Sequence, residues 1–295
     1  MQQKLSFYDF NPSLAAAVLF AALYGICFIL TTALWVKHRA WVCVIMVVAV
    51  AMETVGYIGR SISTQNVTNQ SIYVLQFALT VLAPVLVAAF CYIIFGRIVF
   101  LAVPRGSRTL KLIWVPPRFV TPIFVFFDII ALLLQLAGAV IISGTQATDK
   151  DAQKKINNGK GIAQAGVVVQ LAAFGLFSII AVRFNFTSKR FKKSAHEQFP
   201  DEENDRTLQM DTAPKQKHWP AILRVVNLVS GLILIRTIYR MIEFNEGPSG
   251  YLSTNEWCTY VFDALVILPC FVLFIWWHPA KYLPYLGFRL PKHAR

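Results

Sequence analysis

Four apolar stretches of this 295-residue chain each carry ionisable or amide side chains at helical spacing. Glu53 and Arg60 lie seven residues apart, two turns along one helix face, and Asp128 and Gln135 repeat that interval. Arg236, Arg240 and Glu243 follow at i, i+4 and i+7, and Glu256, Tyr260 and Asp263 do the same. A carboxylate in such a setting can receive an ammonium group, and neighbouring arginines set its charge state. A charge at the centre of a bilayer costs about 2.5–3.5 kcal/mol even on lenient scales, so these groups should face one another rather than lipid. Four single stripes predict inward-facing helices around a shared polar interior. The acids Glu53, Glu243, Glu256 and Asp263 outnumber Arg60, Arg236 and Arg240 there by one, leaving a spare carboxylate. The competing reading is a set of ion pairs that fix helix register, with Gln135 and Gln170 as interhelical glue.

The elements that position these residues follow from hydropathy. The chain is 56% hydrophobic and 15% charged, against roughly 25% charged for a soluble domain. Apolar runs at 12–36, 40–60, 71–100, 119–143, 161–184, 219–244 and 255–277 are each long enough to span about 30 Å of hydrocarbon. The expected fold is therefore all-α, a single polytopic domain of seven transmembrane helices over residues 1–295. Residues 185–218 are expected to be a flexible cytosolic loop, basic at 188–193 and acidic at 201–206, and 278–295 a basic cytosolic tail. Eighteen lysines and arginines fall on the side of those two segments against six on the other, which predicts an outside amino terminus and a cytosolic carboxyl terminus. Asn66 and Asn69 head N-x-S/T sequons in a loop assigned outside, so both are candidate glycosylation sites. Pro84 falls inside the third span, where it should bend the helix.

Composition also excludes several classes. The net charge of +13 is distributed between apolar runs, so nucleic acid is not an expected partner. The five cysteines show no CxxC spacing and read as buried thiols, not as a metal or disulfide frame. The first apolar run is too long for a cleaved signal sequence and reads as the first span. No lipidation signal and no P-loop occur, so any directed transport needs a gradient or a partner. His38, His196, His218, His278 and His293 form neither HxxxH nor HExxH, which argues against an intramembrane zinc hydrolase. No metal and no cofactor is expected. Gly161 and Ala165 on the fifth span fit packing within one bundle as readily as a dimer, leaving oligomeric state open.

The strings METVGYIGR (52–60), LAPVLVAAFCYIIFGRI (82–98), FDIIALLLQLAG (127–138) and IRTIYRMIEFNEGPSGYLSTNEWCTYVFDAL (235–265), with the closing HP at 278–279, carry a family resemblance. The chain resembles the RTA-like seven-span lipid-translocating exporters of fungi, which include sphingoid long-chain-base exporters. The resemblance touches spans 2, 3, 4, 6 and 7 in order, and its polar signature falls on Glu53, Gly56, Tyr57, Arg60, Pro84, Arg97, Asp128, Gln135, Arg236, Arg240, Glu243, Gly250, Glu256 and Asp263. In one departure, the glycine-rich run after the span 4 glutamine is reduced to Gly138, Ala139 and Val140, which weighs against close helix packing at that spot.

What the resemblance implies is a plasma-membrane protein, not an enzyme, that moves or senses amphipathic lipids and meets membrane lipids as its partners. Together with the charge pattern, it makes Glu53, Arg60, Asp128, Gln135, Arg236, Arg240, Glu243 and Asp263 the expected substrate-binding set. Glu53, Glu243 and Asp263 would meet a cationic headgroup. A seven-span lipid sensor signalling through the cytosolic loop is the alternative.

Overall fold

The computed structural model describes residues 13–65, 70–102, 117–144, 152–198, 219–246 and 250–283, and every long element among them is a helix. The helices are α1 Leu14–His38, α2 Val44–Gln65, α3 Gln70–Ala102, α4 Pro117–Gly144, α5 Ala152–Gln198 and α6 Trp219–Glu246. The seventh, α7, runs from Glu256 to Trp276 in three continuous pieces. All seven are long and apolar enough to cross a membrane, and the chain is a multi-pass membrane protein. Only helices satisfy every backbone polar group within one segment, which is why apolar runs of this length fold this way in lipid. Asn66, Asn69, loop residues 199–218 and tail residues 284–295 lie outside the described residues.

Local signals set several ends. Ser13 caps α1, its hydroxyl accepting from the Ala16 N–H at 3.4 Å. Arg39 ends the helix in the left-handed region at φ 48°, returning its N–H to Trp35 at 2.8 Å, with Lys37 and His38 beside the free carbonyls. α5 departs from expectation. It has 47 residues, begins before position 161 and continues past 184. Residues 185–198, expected to be flexible, are helical. Lys154, Lys155 and Lys160, placed in a loop by hydropathy, stand on the first turns of α5. Hydropathy marks where a chain leaves hydrocarbon, whereas i to i−4 bonding continues into water wherever Ala, Gln and Lys favour it.

Seven antiparallel helices give the bundle two ends. At the first end, Ser13 N–H at the start of α1 donates to Glu256 Oε2 at the start of α7 (2.7 Å), and Gln164 of α5 donates to the Phe244 carbonyl of α6 (3.1 Å). Of the seven spans α3 is the most enclosed by its neighbours and α4 the least.

Without a hydrophobic drive between helices in lipid, close approach through small residues does the packing. An added Cβ at Gly56 would lie 2.8 Å from Thr80 Cγ2, which seats α2 on α3. α4 and α5 meet more closely still. A Cβ at Gly138 would lie 2.5 Å from the Gly159 carbonyl, and one at Gly166 would lie 2.6 Å from the Ala131 carbonyl. The shortened glycine run therefore does not loosen this spot, because α5 supplies the other small residues. Gly161 faces open space.

Candidate functional site

The charged stripes meet at the first end. Asp263 is brought there by an irregularity in α7: Tyr260–Ala264 forms one turn of π helix between two α segments. Such a turn rotates the residues that follow it and frequently marks a functional position. Asp263 is buried, and both of its oxygens accept from α6: Oδ1 from Arg236 Nε and Oδ2 from Arg240 Nη2. Arg236 also donates to the Thr80 carbonyl of α3 at 2.8 Å, and Arg240 to Glu243 at 3.1 Å. The Arg240 guanidinium lies over the Phe77 ring, 5.6 Å from its centroid.

Nearer the end of the bundle, Arg60 Nη2 reaches Glu256 Oε1 at 3.4 Å, its guanidinium 4.9 Å from the Tyr260 ring centroid. At 1.5 Å per residue, Arg236 lies about 15 Å inside the end of α6 at Glu246, so the ion cluster occupies one half of the bundle.

Glu53 is 3% exposed on α2. Among the described residues it makes no hydrogen bond and no ion pair, although Arg236, Asp263 and Arg240 all lie within electrostatic range. The spare carboxylate expected from the residue count is thus a particular one. Beside it stands a group of rings that spacing alone did not reveal. Tyr24 and Tyr57 stack at 5.2 Å, Phe20 and Tyr260 stack at 5.2 Å, and Phe20 bridges to Tyr57 at 5.7 Å. Tyr24 is held by donating its hydroxyl to the Ala264 carbonyl in the π turn, 2.7 Å away.

The two polar residues of α4 part company. Asp128 Oδ2 accepts from the Tyr92 hydroxyl of α3 at 2.8 Å, within a cluster of Phe124, Phe174 and Phe177, and Oδ1 is buried with no hydrogen-bond partner among the described residues. Gln135 donates to Gln170 of α5 at 2.9 Å. That amide pair joins Val81, Arg236, Thr237 and Arg240 around a cavity of about 10 Å³, room for about one water. Of the expected set, Glu53, Arg236, Arg240, Glu243 and Asp263 gather at one place, with Gln135 bordering it. Arg60 stands at its entrance with Glu256, and Asp128 bonds elsewhere.

At the opposite end, His38 and His278 stack at 5.0 Å, and the His278 Nδ1 accepts from the Ala280 N–H at 3.2 Å. Among the described residues no group of three or more His, Cys, Asp or Glu is placed to hold a metal ion.

A family model described as RTA1 like protein matches residues 46–285, which include every one of these charged groups. The chain belongs to the RTA1-like family. Protoporphyrin uptake protein 1 of Saccharomyces cerevisiae is 34% identical over 76% of this chain, an alignment spanning 64% of that protein's length. The probable lipid transporter atnI of Emericella nidulans is 25% identical over 97% of the chain and 70% of its own. The sphingoid long-chain base transporter RSB1 of S. cerevisiae is 23% identical over 91% of the chain and 72% of its own. No solved structure matches. For an RTA1-like chain, the charge cluster across α2, α6 and α7 is the chemistry this bundle offers within a membrane.

Proposed function

We propose that this protein carries amphipathic lipids, sphingoid long-chain bases or related toxic lipids among them, across the plasma membrane. The headgroup would pass through the polar interior while the tail stays in lipid. One observation carries the reading: a carboxylate, Glu53, buried inside the membrane zone without a bonded partner among the described residues, next to a self-neutralising cluster of Arg236, Asp263, Arg240 and Glu243. An intramembrane ionisable group left open is costly, and costly groups mark substrate paths. The names of two relatives, a probable lipid transporter and a sphingoid long-chain base transporter, support the lipid class. Glu53 is the headgroup partner in this reading. Arg236 and Arg240 hold Asp263 and shape the field around it, Arg60 and Glu256 guard the outer entrance, and Gln135 borders the cluster from α4. The amino terminus faces outside, as the lysine and arginine distribution favours.

A second reading has an observation of its own. The cavity beside the cluster has room for about one water, too little for a headgroup. A seven-span lipid sensor would also carry a small pocket beside buried charges. Glu53→Gln separates chemistry from folding, because the amide replaces a group that has no bonded partner to lose among the described residues. Export of a labelled sphingoid base from cells, normalised to surface protein, should fall at least tenfold. Unchanged release at normal surface levels would refute the assignment.

A further inference from the structure

The charges around Glu53 add up in a way that bears on what drives transport. Tyr24 faces it from α1, Tyr57 from its own helix, Arg236 and Arg240 from α6, and Asp263 and Cys270 from α7. At the α2–α3 seam beside Gly56 and Gly59, α3 presents Thr80 and Gln76, neither of which titrates. Arg236 and Arg240 are already committed to Asp263, and Arg240 also to Glu243. Arg60 is committed to Glu256. Among the described residues of this cluster three arginines therefore stand against four carboxylates, and the one without a bonded cation is Glu53. A lone charge in a low-dielectric interior is neutralised by a proton or by a counter-ion, and one carboxylate cannot hold both.

We propose that Glu53 holds one proton in the empty protein and exchanges it for the cationic headgroup of an amphipathic lipid, making the protein a one-for-one proton/cation exchanger. The exchange rests on the transport reading above. The carboxylic acid loses its proton to water, the carboxylate pairs with the arriving cation, and the site returns when the cation leaves on the other side and a proton takes its place. Charge at Glu53 is neutral in both loaded forms, so the cycle moves no net charge and responds to a pH gradient, not to voltage. Pairing of charge with charge at the Glu53 carboxylate needs no N–H group on the cation, so a quaternary ammonium serves as well as a primary one.

The test uses the full chain in liposomes with voltage clamped, and radiolabelled hexadecyltrimethylammonium as the probe. Its permanent charge prevents it from following a pH gradient as a neutral amine. With the lumen one pH unit more acid, wild-type protein should concentrate the probe about tenfold inside, and the reversed gradient should deplete it about tenfold. Glu53→Gln should abolish accumulation while melting at or slightly above the wild-type temperature, and Glu53→Asp should retain accumulation. A wild type that equilibrates the probe at the same level under either gradient overturns the exchange and leaves transport standing. Saturable binding without movement overturns transport as well. In detergent and weak buffer, each cation bound should release one proton from wild type and none from Glu53→Gln. Binding without release, or no binding of the probe, overturns the proposal.

Discussion

Asp263 of α7 and Arg236 of α6 are joined in the interior of the bundle, carboxylate oxygen to guanidinium Nε, and Arg240 takes the other oxygen. The contact ties two helices at a depth where neither charge has water to return to. Breaking a buried pair from one side costs about 3–5 kcal/mol, because the remaining charge stays buried and uncompensated. Asp263→Asn should therefore lower the melting temperature of the purified protein sharply and reduce the folded fraction. The double variant Arg236→Met with Asp263→Leu should lose less than the two single losses added together. A strictly additive cycle would contradict the pairing.

Glu53→Gln should behave in the opposite manner. With no bonded partner among the described residues to abandon, the variant should melt at or slightly above the wild-type temperature while transport fails. The two amide substitutions thereby divide the cluster into a part that holds helices together and a part that meets substrate. Thermal unfolding in detergent, read beside flux, checks the division. A large loss of stability in Glu53→Gln would place that residue with the structural ion pairs.

The entrance pair is worth less. Arg60 and Glu256 sit 3.4 Å apart, long for a charge-assisted bond, with side chains 11% and 12% exposed near the end of the bundle. Glu256→Gln should cost about 1 kcal/mol or less, and that cost should shrink in high salt. Melting curves at low and high ionic strength provide the comparison.

Packing between α4 and α5 predicts a steep contrast among glycines. Gly138→Val and Gly166→Val drive side-chain atoms into backbone carbonyls that already lie 2.5 and 2.6 Å from a mere Cβ, so the helices must separate. Both should lower the melting temperature by many degrees and disturb the Gln135–Gln170 bond across the same seam. Gly161→Ala and Gly175→Ala, which meet open space, should be neutral or mildly stabilising through helix propensity.

How much of this was legible in the sequence differs from residue to residue. Seven spans could be read directly, because apolar length is the property the bilayer selects. The gathering of Glu53, Arg236, Arg240 and Asp263 could be read from helical spacing and the cost of charge in lipid. Asp263's partners could not, since the π turn at Tyr260–Ala264 changes the rotation that a uniform 3.6-residue period assumes. Phe20 and Tyr24 give no signal in the sequence, because an aromatic in an apolar span looks the same facing lipid or facing a carboxylate. The length of α5 was hidden for a related reason: hydropathy stops at the interface and hydrogen bonding does not. Tight packing at Gly138 depends on Gly159 and Ala163 across the seam, a pairing invisible from α4 alone.

The central claim, that this bundle moves an amphipathic lipid, is tested most directly by purified protein in liposomes with a labelled sphingoid base placed in one leaflet. Wild-type protein should bring the label to the opposite leaflet well above the protein-free rate, and Glu53→Gln should remove the excess. Saturable binding of the label with transfer no faster than in empty liposomes would refute transport and make the protein a sensor.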